Sequence, residues 1–358
     1  MNKVADAAGD VPAPRVSAIA VFGGLGLAIV LGAAIAATVG AAGISPHRLA
    51  AALGLVGGDA VDLERDRLIL WTIRFPRIAM ALIVGALLAM AGATMQGLFR
   101  NPLADPALLG ISGGAALAVA VVIVFGDKML VPAQIMPPAG ILPVAAFLGA
   151  LATTAVLYRF ATRDGRTPIA TLLLSGLAVG ALANAAIGFL IFAADDRQLR
   201  DITFWMLGSL SGATWIKVAT LLPFAAVAFG GAQLIARSLD VFVMGEAEAF
   251  HSGIEVQRLK LWATVLVSAA AGAAVSVAGV IGFVGIVVPH LLRLAIGPGH
   301  RLLLPASGLL GGILLLLADT LSRVVVTPAE LPIGILTAIL GAPFFLVLLL
   351  RQRAIVGL

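Results

Sequence analysis

WTIRFPRIAMALIVGALLAMAGATMQ, residues 71–96, sets the fold class of this chain. Residues 78–96 within it carry no charged side chain. A helix needs about 20 predominantly apolar residues to cross the hydrocarbon layer of a bilayer, where its backbone groups must bond to one another. The stretch therefore predicts a transmembrane helix.

Similar stretches recur on both sides of it. Of the 358 residues, 61% are apolar and only 11% are charged, and the mean hydropathy is +1.11, too high for a soluble domain with a polar surface. The apolar stretches predict ten spans, at residues 17–39, 71–96, 103–125, 138–161, 168–193, 214–236, 258–281, 284–297, 302–325 and 332–350. The eighth is short and contains Pro289, so a tilted, broken or partly re-entrant element also fits it, and the residues alone allow nine to eleven spans.

This pattern predicts an all-α, polytopic membrane protein. Residues 1–16 contain both charge signs and two prolines, unlike a signal peptide, and are interpreted as a cytoplasmic tail. Residues 17–351 are expected to form one transmembrane domain, because no segment between spans is long enough for a soluble domain. The loop at residues 158–168 holds three arginines, which places it, and both chain termini, in the cytoplasm.

Several classes of function are excluded by what the chain lacks. It has no cysteine, so disulfides and thiolate metal sites are impossible. None of its four lysines follows a glycine, so it cannot form the Gly-Lys-Ser/Thr loop that binds ATP. HExxH is absent, and no metal site is predicted. The net charge of +5 comes without a basic run, which argues against nucleic-acid binding.

Polar side chains inside the predicted spans are few. Asp319 precedes Arg323 by four residues, a spacing that favours an ion pair at a helix end, with a docking role for Arg323 as the alternative. Gln96 and Asn184 are each expected to form an interhelical hydrogen bond or, alternatively, to line a pathway. Three methionines are expected to pack in the core, namely Met80, Met90 and Met95. Four histidines are expected to form local hydrogen bonds rather than to ligate haem, namely His47, His251, His290 and His300.

The segment ADDRQLRDITFWMLGSLSGATW, residues 194–215, concentrates charge and aromatic side chains between two spans. Arg197 and Arg200 would share one face of a helix there, where both guanidinium groups can receive the two carboxylates of an amphipathic substrate. The neighbouring carboxylates of Asp195, Asp196 and Asp201 could instead neutralise them in a solvated rim.

Six ordered blocks resemble the FecCD-type permeases, the membrane subunits of ABC importers for cobalamin, ferric siderophores and haem. They are RFPR (74–77), GATMQGLFRNPLADPALLGISGGA (92–115), GEAEAFHSGI (245–254), GFVGIVVPHLLR (282–293), ADTLSR (318–323) and ELPIGILTAILGAPFFLVLL (330–349). The resemblance covers nearly the whole chain from about residue 65.

The resemblance implies a ten-span type II ABC importer permease fold, working as a homodimer in the bacterial inner membrane. Two separate ATPase subunits would bind ATP, so the chain would be a transporter subunit and not itself an enzyme. The resemblance also assigns an ATPase-coupling segment at residues 237–257. Its matched positions are Gly245, Glu246, Glu248, His251 and Gly253.

Other roles follow from the same resemblance. Arginines on the outer side would receive acidic residues of a periplasmic binding protein, and the matched positions are Arg74, Arg77 and Arg323. The inner gate would be lined by the start of the fifth span. Its matched positions are Thr171, Ser175 and Val179.

The segment at residues 194–215 is similar to the haem permeases within this family. Haem is therefore the predicted transported substrate, delivered by a haem-binding protein, and no permanently bound cofactor is expected. A ferric siderophore or cobalamin is the alternative substrate. An ion-coupled secondary carrier and a purely structural membrane subunit are the rival classes, and the scarcity of charged groups inside the spans argues against the first.

Overall fold

A computed structural model describes residues 17–40, 43–57, 60–129, 138–326 and 329–356. The predicted tail at residues 1–16 lies outside them. The described chain forms fourteen α-helices: α1 Ala18–Thr38, α2 Pro46–Ala52, α3 Ala60–Ile69, α4 Phe75–Leu98, α5 Ile111–Met129, α6 Pro138–Ala161, α7 Ile169–Ala193, α8 Asp196–Leu207, α9 Trp215–Met244, α10 Glu246–His251, α11 Val256–Ala278, α12 Val284–Ile296, α13 His300–Val325 and α14 Ile333–Val356.

Ten of these helices are apolar enough to belong to a membrane domain. Seven are long enough to cross a bilayer, namely α1, α4 with its extension through α3, α6, α7, α9, α11 and α13. The apolar parts of α5, α12 and α14 are shorter. The prediction of an all-α protein with about ten membrane helices is confirmed over the described residues.

Helix α4 forms the centre of the bundle, and it packs most extensively on α13. Glycine permits this packing and also the packing of α4 on α12. A Cβ atom on Gly85 would lie 2.2 Å from the carbonyl oxygen of Gly311, and one on Gly92 would lie 2.1 Å from that of Gly285. Lipid supplies no hydrophobic drive between helices, so close backbone approach and dispersion contacts hold such pairs together. The predicted core role of Met80, Met90 and Met95 is confirmed, because all three are buried in this region.

Contacts between the ends of different helices define two ends of the bundle, which we name after Arg77 and Lys260. The Arg77 end is where α1, α7 and α13 finish and where α4 and α14 begin. The Lys260 end is where α4 and α9 finish and where α7, α11 and α13 begin. Because α1 finishes and α14 begins at the Arg77 end, the start of α1 and the end of α14 share the Lys260 end.

Helix α12 is continuous through Pro289, although a break was among the interpretations. Pro289 has no N–H to donate to the carbonyl of Gly285, four residues earlier. The side chain of Gln96 donates to that carbonyl instead, over 3.1 Å. The expected interhelical bond of Gln96 is thus confirmed, and it satisfies a backbone group that lipid cannot.

Two predicted segments are more helical than expected. Residues 237–244, assigned to the coupling segment, continue helix α9, so only α10 and the turns beside it separate α9 from α11. At the other end, α3 joins α4 through a π-helical turn at Leu70–Arg74, where Phe75 donates to the carbonyl of Leu70. Pro76 lacks an N–H, and the wider turn accommodates that loss.

Candidate functional site

A buried ion cluster joins three helices at the Arg77 end. Arg77, on the first turn of α4, donates from Nε to both carboxylate oxygens of Asp319 at 3.0 Å and from Nη2 to one of them at 2.9 Å. Its Nη1 reaches Oε1 of Glu330, just before α14, at 2.8 Å. Arg77 and Asp319 are 7% and 1% exposed, so their bonds form out of water, where each charge depends on its partner.

The other two predicted docking arginines lie beside this cluster. Arg323 Nε is 3.3 Å from Oδ2 of Asp319, which confirms the predicted ion pair. Arg323 also donates to the carbonyl of Val39 at 3.0 Å, and Arg74 donates to that of Ala37. These carbonyls lie at the end of α1, where a helix has unpaired acceptors and a partial negative charge.

The structure thus brings Arg74, Arg77 and Arg323 together. The close pairing of Arg77 with Asp319 was missed, because the two residues are 242 positions apart and nothing local signals it. All three arginines are largely covered by the chain itself, while the Glu330 side chain is 41% exposed. Their docking role stays a prediction.

A second polar feature at this end packs α2 against α3. Arg48 binds Asp66 through two hydrogen bonds, of 2.7 Å from Nε and 2.6 Å from Nη2. This pairing raises the pKa of the Arg48 guanidinium above its ordinary value. The charged residues of α3 therefore belong to an ordered helical extension of α4.

The segment with the predicted substrate arginines is helical. A helix is what places Arg197 and Arg200 on the same face. Asp195 caps α8 by accepting from the backbone N–H groups of Arg197 and Gln198, and Gln198 completes a capping box. The Arg197 side chain is 82% exposed, and its Nε lies 3.9 Å from Asp201. Within the described chain, no carboxylate lies within ion-pair distance of Arg200, which is also exposed. Asp195 is thus a helix cap rather than a partner of these arginines.

Helix α7 connects this rim to the other end of the bundle. Thr171 is exposed and Ser175 and Val179 are half-buried, at four-residue spacing along its first half. Asn184 is exposed further along, and no protein acceptor or donor is within reach of its side chain in the described chain. The expected interhelical bond of Asn184 is therefore not observed. Large apolar side chains on α7 also remain uncovered, namely Leu174, Leu177, Leu182, Phe189 and Phe192.

Helix α10 forms a short elbow at the Lys260 end. Gly245 precedes it with φ of 151°, and a Cβ atom there would lie 1.9 Å from Oε2 of Glu248. Gly253 follows it with φ of 81°. Both conformations favour glycine, so the elbow has one glycine at each side. Glu248 and His251 are exposed, and His251 Nδ1 lies 2.7 Å from the carbonyl of Ala247.

Lys260 ties this elbow to the start of α7, a link that the sequence analysis missed. Its Nζ lies 2.8 Å from Oε1 of Glu246 in α10 and donates over 2.8 Å to the carbonyl of Thr167, just before α7. The ammonium group also lies 6.0 Å from the centre of the Phe242 ring. Lys260 is 2% exposed, so one buried cation connects α9, α10, α11 and the entry to α7.

The histidines do not converge. His300 Nδ1 lies 2.6 Å from Oδ1 of Asp240, His290 packs on the Phe344 ring, and His47 is exposed. Local bonding, the preferred interpretation, is confirmed for His251 and His300. Among the described residues, no three His, Asp or Glu side chains are placed to hold a metal ion.

Comparison with known proteins agrees with this architecture. The model of the FecCD transport family matches residues 27–351. The chain is 47% identical to the hemin transport system permease protein HmuU of Yersinia pestis over 285 residues, 78% of this chain and 83% of that protein. It is 44% identical to the cobalamin import system permease protein BtuC of Halobacterium salinarum over 292 residues, 82% of this chain and 76% of that protein.

A solved structure matches as well. It is described as an inward-facing conformation of a metal-chelate type ABC transporter, and it superposes with a TM-score of 0.77 and 31% identity over 92% of this chain and 98% of its own. The family match spans nearly the whole chain, and the solved structure has the same helical architecture. The chain is therefore a multi-pass membrane protein that belongs to the FecCD transport family, as an ABC importer permease.

Proposed function

We propose that the chain is the permease subunit of a haem importer. The observation that supports haem as the substrate is the exposed face of α8. Arg197 and Arg200 lie there, at the end of the uncovered apolar face of α7. Haem is a broad apolar ring with two propionates on one edge. Two guanidinium groups at the mouth suit the propionates, and the Leu and Phe side chains of α7 suit the ring.

The similar proteins support haem as the substrate, but they also support cobalamin. The similar protein from Yersinia pestis is named for hemin, and the one from Halobacterium salinarum for cobalamin, at nearly the same identity. Cobalamin carries no pair of carboxylates, so the arginines on α8 favour haem. Cobalamin or a ferric siderophore is the second candidate, supported by the relatives alone.

The path is proposed to lie between two copies of this chain. Large apolar side chains on α7 are exposed in a single copy, and a second copy across a two-fold axis would cover part of them. The path would then run along Asn184, Val179, Ser175 and Thr171, from the arginine rim to the inner gate.

Orientation and partners complete the proposal. The Lys260 end faces the cytoplasm of a bacterial cell, with both chain termini, and α10 contacts one of two ATPase subunits. The Arg77 end faces the periplasm and receives the haem-binding protein. ATP hydrolysis in the partners moves α10, and Lys260 passes that movement to the start of α7, which carries the gate.

Proteoliposomes containing the chain, its ATPase and its binding protein test the substrate directly. Haem uptake is expected to require ATP, and a ferric siderophore or cobalamin in excess is expected not to compete. Uptake of cobalamin in preference to haem would overturn the substrate. Uptake by this chain without the ATPase, or its loss when the proton gradient collapses at constant ATP, would overturn the transport mechanism.

A further inference from the structure

A groove of about 870 Å³ lies between α6 and α11, in the halves of these helices nearest the Lys260 end. That volume falls in the range of about 300–1,000 Å³ typical of ligand sites. Its walls are mainly apolar, and its lining includes Thr154, Ala155, Tyr158, Arg159, Leu261 and Thr264. None of these residues belongs to the proposed path, to the elbow at α10 or to the cluster around Arg77.

The hydroxyl group of Thr264 has no hydrogen-bond partner among the described residues, although the residue is 1% exposed and lines the groove. Two neighbouring hydroxyls behave differently. Ser268 donates to the carbonyl of Thr264 at 2.8 Å, and Thr154 to that of Ala150 at 3.0 Å. Buried polar groups are almost always paired, and this hydroxyl is a donor that an acceptor in the groove would satisfy.

One arginine, Arg159, lines the groove, and two more arginines follow it within seven residues. Arg159 lies in the last turn of α6, and a tight hairpin follows it, in which Arg163 and Arg166 exchange two backbone hydrogen bonds of 3.0 Å. Asp164 and Gly165 between them have φ of 52° and 72°, the left-handed pair of a type I′ turn. Residues directly opposite in such a pair present their side chains on the same face.

These three arginines are exposed, and no carboxylate of the described chain lies within ion-pair distance of any of them. A free anion would account for the arginines but would leave the apolar groove between α6 and α11 unfilled. A molecule with a charged head and an apolar chain satisfies both features. Basic pockets between transmembrane helices bind anionic lipid headgroups in this way.

We propose that this groove binds one anionic phospholipid of the surrounding bilayer. Its phosphate lies at Arg159, Arg163 and Arg166, an ester carbonyl accepts from the Thr264 hydroxyl, and an acyl chain follows Ala155 and Leu261. Helix α11 also carries Lys260, so the bound lipid braces the helix on which the coupling link depends. The proposal does not rest on haem as the substrate.

Native mass spectrometry of the detergent-purified full chain measures this binding. Incubated with dioleoyl phosphatidylglycerol or dioleoyl phosphatidylcholine, the chain is expected to retain one phosphatidylglycerol in preference to phosphatidylcholine. Arg159→Gln is expected to lower that retention about fivefold, since one cation beside an anionic lipid surface contributes about 1 kcal/mol. Arg301→Gln, which changes an exposed arginine at the same end but outside the groove, is the matched control and is expected to change nothing.

Two further variants test the groove itself. Ala155→Phe fills it and is expected to abolish retention, and Thr264→Val removes the hydroxyl without changing the volume. Thr264→Val is expected to lower retention of ester-linked phosphatidylglycerol to that of its ether-linked analogue, which has no carbonyl. Circular dichroism and gel filtration verify that each variant is folded.

Three results would overturn the proposal. They are equal retention of the two lipids by the unmodified chain, retention of phosphatidylglycerol by folded Ala155→Phe, and full competition by glycerol phosphate, which has no acyl chain. The last result would leave an anion site without a lipid. None of them bears on haem uptake, which the transport assay decides separately.

Discussion

The Arg77 end and the Lys260 end both bury a cation, yet they hold it differently. At the Arg77 end, Asp319 accepts from Arg77 at 2.9–3.0 Å and pairs with Arg323 at 3.3 Å. At the Lys260 end, one ammonium group has a single carboxylate partner among the described residues, Glu246, whose side chain is 39% exposed. The first arrangement has several bonds between three helices, and the second has two bonds from one flexible side chain.

The two sets of contacts differ in how readily they rearrange. Planar guanidinium groups around a shared carboxylate keep their geometry, because several bonds must break together. The ammonium group of Lys260 rotates freely and can exchange its contact with the Thr167 carbonyl for another acceptor. Under the proposed mechanism, the elbow at α10 would move against α7 through this contact while the cluster around Asp319 holds α4 against α13.

Asp319→Asn is expected to have the largest effect on stability. It leaves Arg77 and Arg323 buried beside a neutral amide, and breaking a buried pair in this way costs about 3–5 kcal/mol. The free energy of unfolding in mixed micelles measures the loss. Glu330→Gln is the matched control, because that carboxylate is half-exposed and its removal should cost less than about 1 kcal/mol. Equal losses in the two variants would contradict the distinction.

Lys260→Met is expected to weaken coupling more than stability. The carbonyl of Thr167 loses its buried donor, at a cost of about 1–3 kcal/mol, while Glu246 remains hydrated. The number of haem molecules imported per ATP hydrolysed should fall, with ATPase binding unchanged. Arg258 is an exposed arginine in the same helix as Lys260, and it pairs with Glu255. The control variant Arg258→Gln should leave this ratio unchanged. An unchanged ratio in Lys260→Met would make the link merely structural.

The double variant Arg197→Ala, Arg200→Ala should leave the contacts around Arg77 and Lys260 intact and should change only haem uptake. Haem uptake at low haem concentration is expected to fall about tenfold, the equivalent of one charge-assisted hydrogen bond of ~1.5 kcal/mol. Assembly with the ATPase should not change. Arg65→Ala, an exposed arginine of α3, is the matched control. Normal uptake by the double variant would mean that both arginines belong to a solvated rim and do not bind the substrate.

Glu330→Gln should have the smallest effect, on docking of the binding protein. Removing this half-exposed carboxylate frees Nη1 of Arg77 and makes the surface more positive. An acidic partner should then associate a few-fold faster at low salt, with little change at high salt, because mobile ions screen exposed charges. Association rates measured at both salt concentrations test this, and an equal change at both would indicate misfolding.

Much of the fold was predictable, because each span must satisfy its own backbone and cover itself with apolar side chains. Residues 138–161 of the predicted fourth span match α6. The continuation of α9 through residues 237–244 was not predicted, and this too has a physical cause. Arg237 and Asp240 end the apolar stretch, but α9 continues beyond the lipid, where hydropathy carries no signal.

The candidate site was predictable in part. The face shared by Arg197 and Arg200 follows from helical spacing, and the glycines beside α10 lie within a motif. The partners of Arg77 and Lys260 were not accessible, since Asp319 and Thr167 are 242 and 93 positions away. The sequence predicts that Gln96 bonds to another helix. It does not predict that Gln96 replaces the missing donor of Pro289, because that depends on the position of α12.

The sequence by itself determined that this is a many-helix membrane protein, which helices are apolar, and which polar segments interrupt them. Lipid imposes those features on each span separately, so local composition is enough. Only the tertiary structure decided which buried charges meet, which glycines let helices touch, and which hydroxyl at the α6–α11 groove has no partner among the described residues. Those features depend on distances between residues far apart in the chain, and no periodicity along the chain records them.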